Sequence, residues 1–391
     1  MYYQILLLNL LIILPALADS LPGRVISDQS FQELSHLIEQ FQASLTPEEK
    51  KQLVSSIDHP KRTRGFCYVL AHCKEDHHGL KIGYLDSDSK YQLHRFLSKV
   101  MSSQGYLTFL AITQRELLLE EMEDASRHMP TQFPAVGKTV NEAWKTPMKR
   151  NYLDYYIAFF GKLGQGNTFG FRLEGHHYSL SVRIDYQGKN PILTSTPIFL
   201  GASPVVVPTP PKNSKDRYPM WNFLEGHHLL IHEANLCREI IKLLPPKVQN
   251  QGIWVKFPEA TLAGGLDPKP ESSMKEKGIP INKGPIALKR KIAELLEEYL
   301  GSTNPLGIDK NQVKIDFLAN GYLFYRGDFN QPLSRFYFRL QSDRFLYEML
   351  QDQAWSIKTE HEANHIHSVL RDLKADWDSD VLRRHLEEHH Q

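Results

Sequence analysis

Apolar and polar positions recur along this chain with two different periods, and the change from one to the other organises it. Up to about residue 125 the apolar positions return every three or four residues, as they do on one face of a helix. Phe31, Leu34, Ile38 and Phe41 form such a stripe. Thr46-Pro47-Glu48-Glu49 then supplies an N-cap, a first-turn proline and a capping-box glutamate in the order that starts a second helix. Leu93, Phe96, Leu97, Val100 and Met101 predict a helix after Asp86-Ser87-Asp88 that stops at Gly105, and a further helix covers roughly residues 106–125. These stripes are core packing and carry no assigned chemistry.

From about Tyr152 the period shortens. Residues 169–184 are aromatic and β-branched and predict one long strand. Residues 313–318 and 322–325 predict a hairpin turned at Ala319-Asn320-Gly321, and residues 335–340 and 345–350 two further strands. Helical patterns at 229–244 and 286–300 lie between them, and 201–219 and 263–285 are expected as long loops. Together these predict an α+β fold. A mainly helical region, 19–150, packs on a largely antiparallel sheet supplied by region 151–391.

Residues 1–18 stand apart. An apolar run from Ile5 to Leu14, then Pro15 and Ala16-Leu17-Ala18, has the form of a cleavable signal peptide, although no Lys or Arg precedes the run. The alternative is an uncleaved anchor, for which an apolar core of about a dozen residues is shorter than the roughly 20 a bilayer requires. The expectation is a secreted or periplasmic protein with no stable membrane insertion after signal removal. The 46 Lys+Arg against 45 Asp+Glu argue against nucleic acid as a partner and leave a small-molecule or peptide substrate. In an oxidising compartment the three cysteines predict a Cys67–Cys73 disulfide and a free Cys237 thiol. The rival is a metal site of Cys67, His72, Cys73, His77 and His78, whose spacings fit no standard zinc pattern.

Candidate chemistry centres on 18 histidines. On the strand expected at 169–184, Arg172, Glu174 and His176 would point one way and His177 the other. A buried charge needs a partner, so this set is either an Arg–Glu pair beside a hydrogen-bonded histidine or a ligand and acid/base group held by that pair. Next, His365-Ile366-His367, followed by Arg371, would put two imidazoles on one strand face, close enough for one metal ion. Glu348, a carboxylate in an apolar strand, could complete that site or serve as partner to an arginine. His228 and His232 have helical ligand spacing, but Glu233 follows the second histidine, unlike the His-Glu-x-x-His of zinc peptidases. His385, His389 and His390 are expected on a solvated terminal helix. Glu-Gly-His-His occurs twice, at 174–177 and 225–228, in contexts different enough to be read as coincidence. Nucleophile-elbow, phosphate-loop and dinucleotide motifs do not occur.

The segment Phe169-Gly-Phe-Arg-Leu-Glu-Gly-His-His-Tyr-Ser-Leu180 resembles a signature, Gly-Trp-Arg-x-Glu-Gly-His-His-Leu-Ser, of the exported domain-of-unknown-function family thirty-five hundred. Ala363-Asn-His-Ile-His-Ser-Val-Leu-Arg-Asp372 is similar to that family's second signature, and Gly201-Ala-Ser-Pro204 and residues 97–106 also fit its pattern. Phe171, Tyr178, Leu370 and Ser379 stand where the family has tryptophan, leucine, tryptophan and glycine, so no histidine is altered. The resemblance supplies no reaction, but it implies that both signatures form one constellation. The combined expectation is an exported metal-dependent enzyme, a zinc hydrolase in its sharpest form. His176, His177, His365 and His367 would be ligands, Glu174 or Glu348 a ligand or base, and Arg172 or Arg371 an anion-binding charge. The ion is divalent, zinc first, with copper or iron also compatible. The rival is a non-catalytic metal or small-ligand binding protein of the cell envelope.

Overall fold

Each N-terminal helix begins where a side chain can satisfy the free first-turn amides. Residues 23–63, 77–129, 154–186, 188–248, 257, 278–303, 307–353 and 363–376 are described by the computed structural model. The expectations for residues 1–18, Cys67, His72, Cys73, the stretch 263–277 and the terminal histidines lie outside these residues. Helix α1 (Asp28–Ser44) is capped by Ser27 and buries Phe31, Leu34, Ile38 and Phe41, the expected stripe. In α2 (Pro47–Leu53) both halves of the Thr46–Glu49 capping box are formed. A short α3 (Pro60–Thr63) follows, then α4 (Ser87–Val100), capped by Asp86. Gly105 does not end α4. The break falls at Met101-Ser102, where the Ser102 hydroxyl accepts from the Gly105 amide at 2.8 Å, so the glycine lies in the first turn of α5 (Ser103–His128).

Among the described residues the strands form one 13-stranded sheet. Short pieces β1 (Arg24–Val25), β2 (Val54–Ser55) and β3 (Leu80–Lys81) lie at its margins. The main strands are β4 (Tyr155–Gly161), β5 (Thr168–Gly175), β6 (Tyr178–Asp185), β7 (Ile192–Thr194) and β8 (Ile198–Ala202), and, after two helices, β9 (Ile279–Pro280), β10 (Tyr322–Gly327), β11 (Phe336–Gln341), β12 (Phe345–Asp352) and β13 (His365–Asp372). The order is β2-β4-β5-β6-β8-β13-β12-β11-β10-β9, and among the described residues only β2 and β4 pair in parallel. The fold is therefore α+β with a mostly antiparallel sheet. Strand β13, from the C-terminal part of the chain, enters the middle of the sheet between β8 and β12.

Two local expectations are corrected. Residues 169–184 are not one strand but a hairpin, β5 and β6, turning at His176-His177. Residues 313–318 belong to a helix, α9 (Lys310–Asn320), following α6 (Pro219–Leu224), α7 (Ile231–Lys242) and α8 (Ile286–Thr303). Asp309 caps α9 through bonds from the Asn311 and Gln312 amides, and Val313 and Phe317, four apart, are its buried residues. An i, i+4 pair beside a capping aspartate outweighs the β-propensity of a short apolar run.

Register divides the sheet into two faces. Leu173, Leu180, Ile198, Leu370 and Tyr347 oppose one another in succession and join the main hydrophobic core, to which the helices contribute Phe41, Leu97, Ile240 and Leu295. The opposite face carries Arg172, Glu174, Ser179, Arg339, Glu348, His367 and Arg371, all buried. A buried polar face is stable only when its charges find partners.

Candidate metal centre

The hairpin turn creates the first half of the site. His177 adopts a left-handed backbone, φ 64°, which an L residue rarely takes, and surrounding contacts hold it there. Its carbonyl accepts from the Gly201 amide at 2.7 Å, and the Tyr155 hydroxyl donates to the His176 carbonyl at 2.5 Å. Because the two residues form a turn, strand alternation no longer sends their rings apart. The imidazoles stack with centroids 3.7 Å apart.

The second half is set by Asn364. Its side chain accepts from the Val206 amide and donates to the Val206 carbonyl, both at 2.9 Å, which anchors the start of β13. His365 and His367 then share one face of β13, and His367 lies opposite Gly201 of β8. That neighbour has to be small. A Cβ at Gly201 would sit 2.7 Å from the His177 ring.

The two signatures meet, although 188 residues separate His177 from His365. Their Nε2 atoms are 2.9 Å apart. One nitrogen from each of His177, His365 and His367 lies within 4.8 Å of the others, and these residues are 2%, 8% and 6% exposed. The three could hold a metal ion. A second group, Glu116, His176 and His177, meets the same distance limit and shares His177. Here His176 Nδ1 forms a very short hydrogen bond with the buried Glu116 carboxylate.

Glu116 lies on a helix whose apolar stripe points to core packing, so it is not among the site residues expected from the sequence. A signal was there: Ile112, Glu116 and Leu119 follow the i, i+4, i+7 spacing of a buried stripe, with a carboxylate in its middle. Arg115, beside it, is also buried. Its Nε donates to the Pro204 carbonyl at 3.0 Å, its Nη2 lies 3.1 Å from His227 Nδ1, and desolvation pushes its pKa down to about 10. Burial and this guanidinium lower the His227 pKa in turn. The two Glu-Gly-His-His segments, read as coincidence, thus reach consecutive residues of one helix.

The four charged candidates are engaged elsewhere. Arg172 and Glu174 pair with each other at 2.8 Å, and His77 approaches Glu174 at 3.5 Å, the arginine–glutamate pair that was one of the two expectations. Glu348 shares the sheet face of His367 but accepts from Arg339 at 3.1 Å and from the Tyr337 hydroxyl. Arg371 is fully buried against Asp376 at 3.0 Å. Likewise His228 precedes α7, so the four-residue spacing to His232 is not helical, and both are exposed. Glu233 is buried, which raises its pKa, and accepts from the Ser302 hydroxyl. Of the remaining groups, His78 bonds the Ser55 hydroxyl at 2.8 Å, and Cys237 is a buried free thiol.

Comparison with known proteins adds one match. Residues 27–379 match the family described as Protein of unknown function (DUF3500). No curated protein and no solved structure matches the chain.

Proposed function

The chain belongs to the DUF3500 family, whose description names no activity, and from the histidine cluster we propose an exported metal-dependent enzyme that hydrolyses a small-molecule or peptide substrate. His177, His365 and His367 would hold a divalent ion, zinc foremost. The observation that carries this reading is the 2.9 Å approach of two imidazoles from distant signatures, with a third beside them. Two nitrogens each bound to zinc at its usual distance in tetrahedral geometry stand about 3.4 Å apart, so little movement would be needed. Three histidines leave a fourth position for water, and a bound zinc would lower that water's pKa toward neutrality. Glu116, bonded to His176 and within 4.8 Å of a His177 nitrogen, would be the carboxylate that moves a proton there. Export rests on the apolar N-terminal run, and no helix among the described residues is long and apolar enough to cross a membrane.

The low exposure of the three imidazoles favours a second reading, a closed site in a non-catalytic metal-binding protein. One experiment separates the two: metal analysis of the purified protein, followed by a hydrolysis screen of parent and Glu116→Gln. The enzyme reading expects one ion per chain in both proteins and a loss of turnover of roughly a hundredfold or more in the variant. Metal without turnover in either protein selects the binding reading, and absence of any metal ends both.

Gly201→Ala supplies an independent check. The new methyl group would press on His177, so metal affinity is expected to fall by about tenfold or more, with an overpacking cost of about 1–3 kcal/mol. Competition with a chelator and chemical denaturation measure the two effects, and unchanged metal affinity would count against His177 as a ligand.

A further inference from the structure

The polar face of the sheet holds a concave feature apart from the histidines. A small pocket of about 30 Å³ opens beside β5, β6 and β7, and its walls include Arg62, Arg172, Arg183, Ser181, Thr194 and Thr196. Among the described residues no aspartate or glutamate lines it. Three neighbouring carboxylates are each tied to an arginine, Glu174 to Arg172 at 2.8 Å, Asp185 to Arg183 at 3.0 Å and Asp376 to Arg371 at 3.0 Å, and Asp376 also bonds the Thr196 side chain. Three arginines and three hydroxyl-bearing residues therefore line one space, with Phe160, Phe171 and Val182 beside them. The Ser181 Oγ is buried and has no hydrogen-bond partner among the described residues. Leaving a buried hydroxyl unpaired is unfavourable, and an acceptor in the pocket would relieve it.

We propose that this pocket binds a tetrahedral oxyanion, phosphate or sulfate, either free or as the terminal group of a larger molecule. Guanidinium forks match the paired oxygens of such a group, and hydroxyls donate to the remainder. Arg172, held 4% exposed by Glu174 and the Lys61 carbonyl, is the fixed element, and the partly exposed Arg62 and Arg183 form the entrance. Ser181 lies four residues along β6 from His177, about 13 Å at strand rise. The pocket is thus a site distinct from the histidine cluster and independent of metal there.

The test is calorimetric titration of the full chain, stripped of metal by a chelator, with inorganic phosphate, sulfate and phenyl phosphate at low salt. Binding with a Kd of about 1 mM or tighter is expected, weakened about tenfold or more in Arg183→Gln and measurably in Ser181→Ala, which keeps the fold least disturbed. His365→Ala should bind phosphate like the parent. Phenyl phosphate binding more tightly than phosphate identifies a group on a larger molecule, and the reverse order identifies the free anion. The proposal is overturned if nothing binds by about 10 mM, if folded Arg183→Gln binds as the parent does, or if His365→Ala abolishes binding.

Discussion

Replacing His365 by alanine is expected to remove most of the bound metal while leaving the protein folded. His365 contributes one of three converging imidazoles, and its Nε2 stands 2.9 Å from that of His177. With one of three ligands gone, the loss should exceed the 10–100-fold typical of removing a supporting contact, so about a hundredfold or more is expected. The fold should survive, since β13 is anchored by Asn364 and paired on both sides by β8 and β12. His177→Ala should behave in the same way. His176→Ala should lose less, because that ring bonds the Glu116 carboxylate and meets the ligand cluster through the stacked His177. Affinity should also fall on acidification, because imidazole ligates only in its neutral form. Equal metal content in parent and His365→Ala would refute the site, and the 2.9 Å contact would then stand as a hydrogen bond between two buried imidazoles.

The second large effect concerns Glu348, a candidate ligand in the sequence and a charge partner in the fold. Glu348→Ala is expected to destabilise the protein by about 3–5 kcal/mol, because it leaves the Arg339 guanidinium buried without its carboxylate. Tyr337 loses its acceptor in the same change. Gln341 still accepts from Arg339 Nε at 3.1 Å, so part of the guanidinium stays satisfied. Glu348→Gln, which keeps an acceptor, should cost less. Urea denaturation measures both variants, and metal content should match the parent in each. A folded Glu348→Ala protein of parental stability that has lost its metal would reverse the assignment and return Glu348 to the site.

Both expectations depend on a division between local and non-local information. Helix faces were legible because a stripe and its caps lie within one short stretch: Phe31 to Phe41 after Ser27, or the Thr46–Glu49 box. Where two local signals competed, the reading went astray. Residues 313–318 look like a strand until Asp309 is recognised as a cap, and Gly105 looks like a stop until Ser102 is seen to satisfy its amide. The turn at His176-His177 left a single cue, Gly175 before two polar residues, inside an otherwise continuous apolar pattern.

By itself the sequence determined the α+β class, the principal helical faces, most strands of the sheet and the two histidine signatures, all of which rest on residue types at fixed short spacings. Tertiary structure alone decided which of those residues meet. Insertion of β13 between β8 and β12 brings His365 and His367 against the β5–β6 turn, and α5 delivers Glu116 to His176. The same register turns Glu174 toward Arg172 and Glu348 toward Arg339. The physical reason is that burying a charge or an imidazole requires a partner, while the identity of that partner is set by sheet register and strand order among segments far apart in the chain.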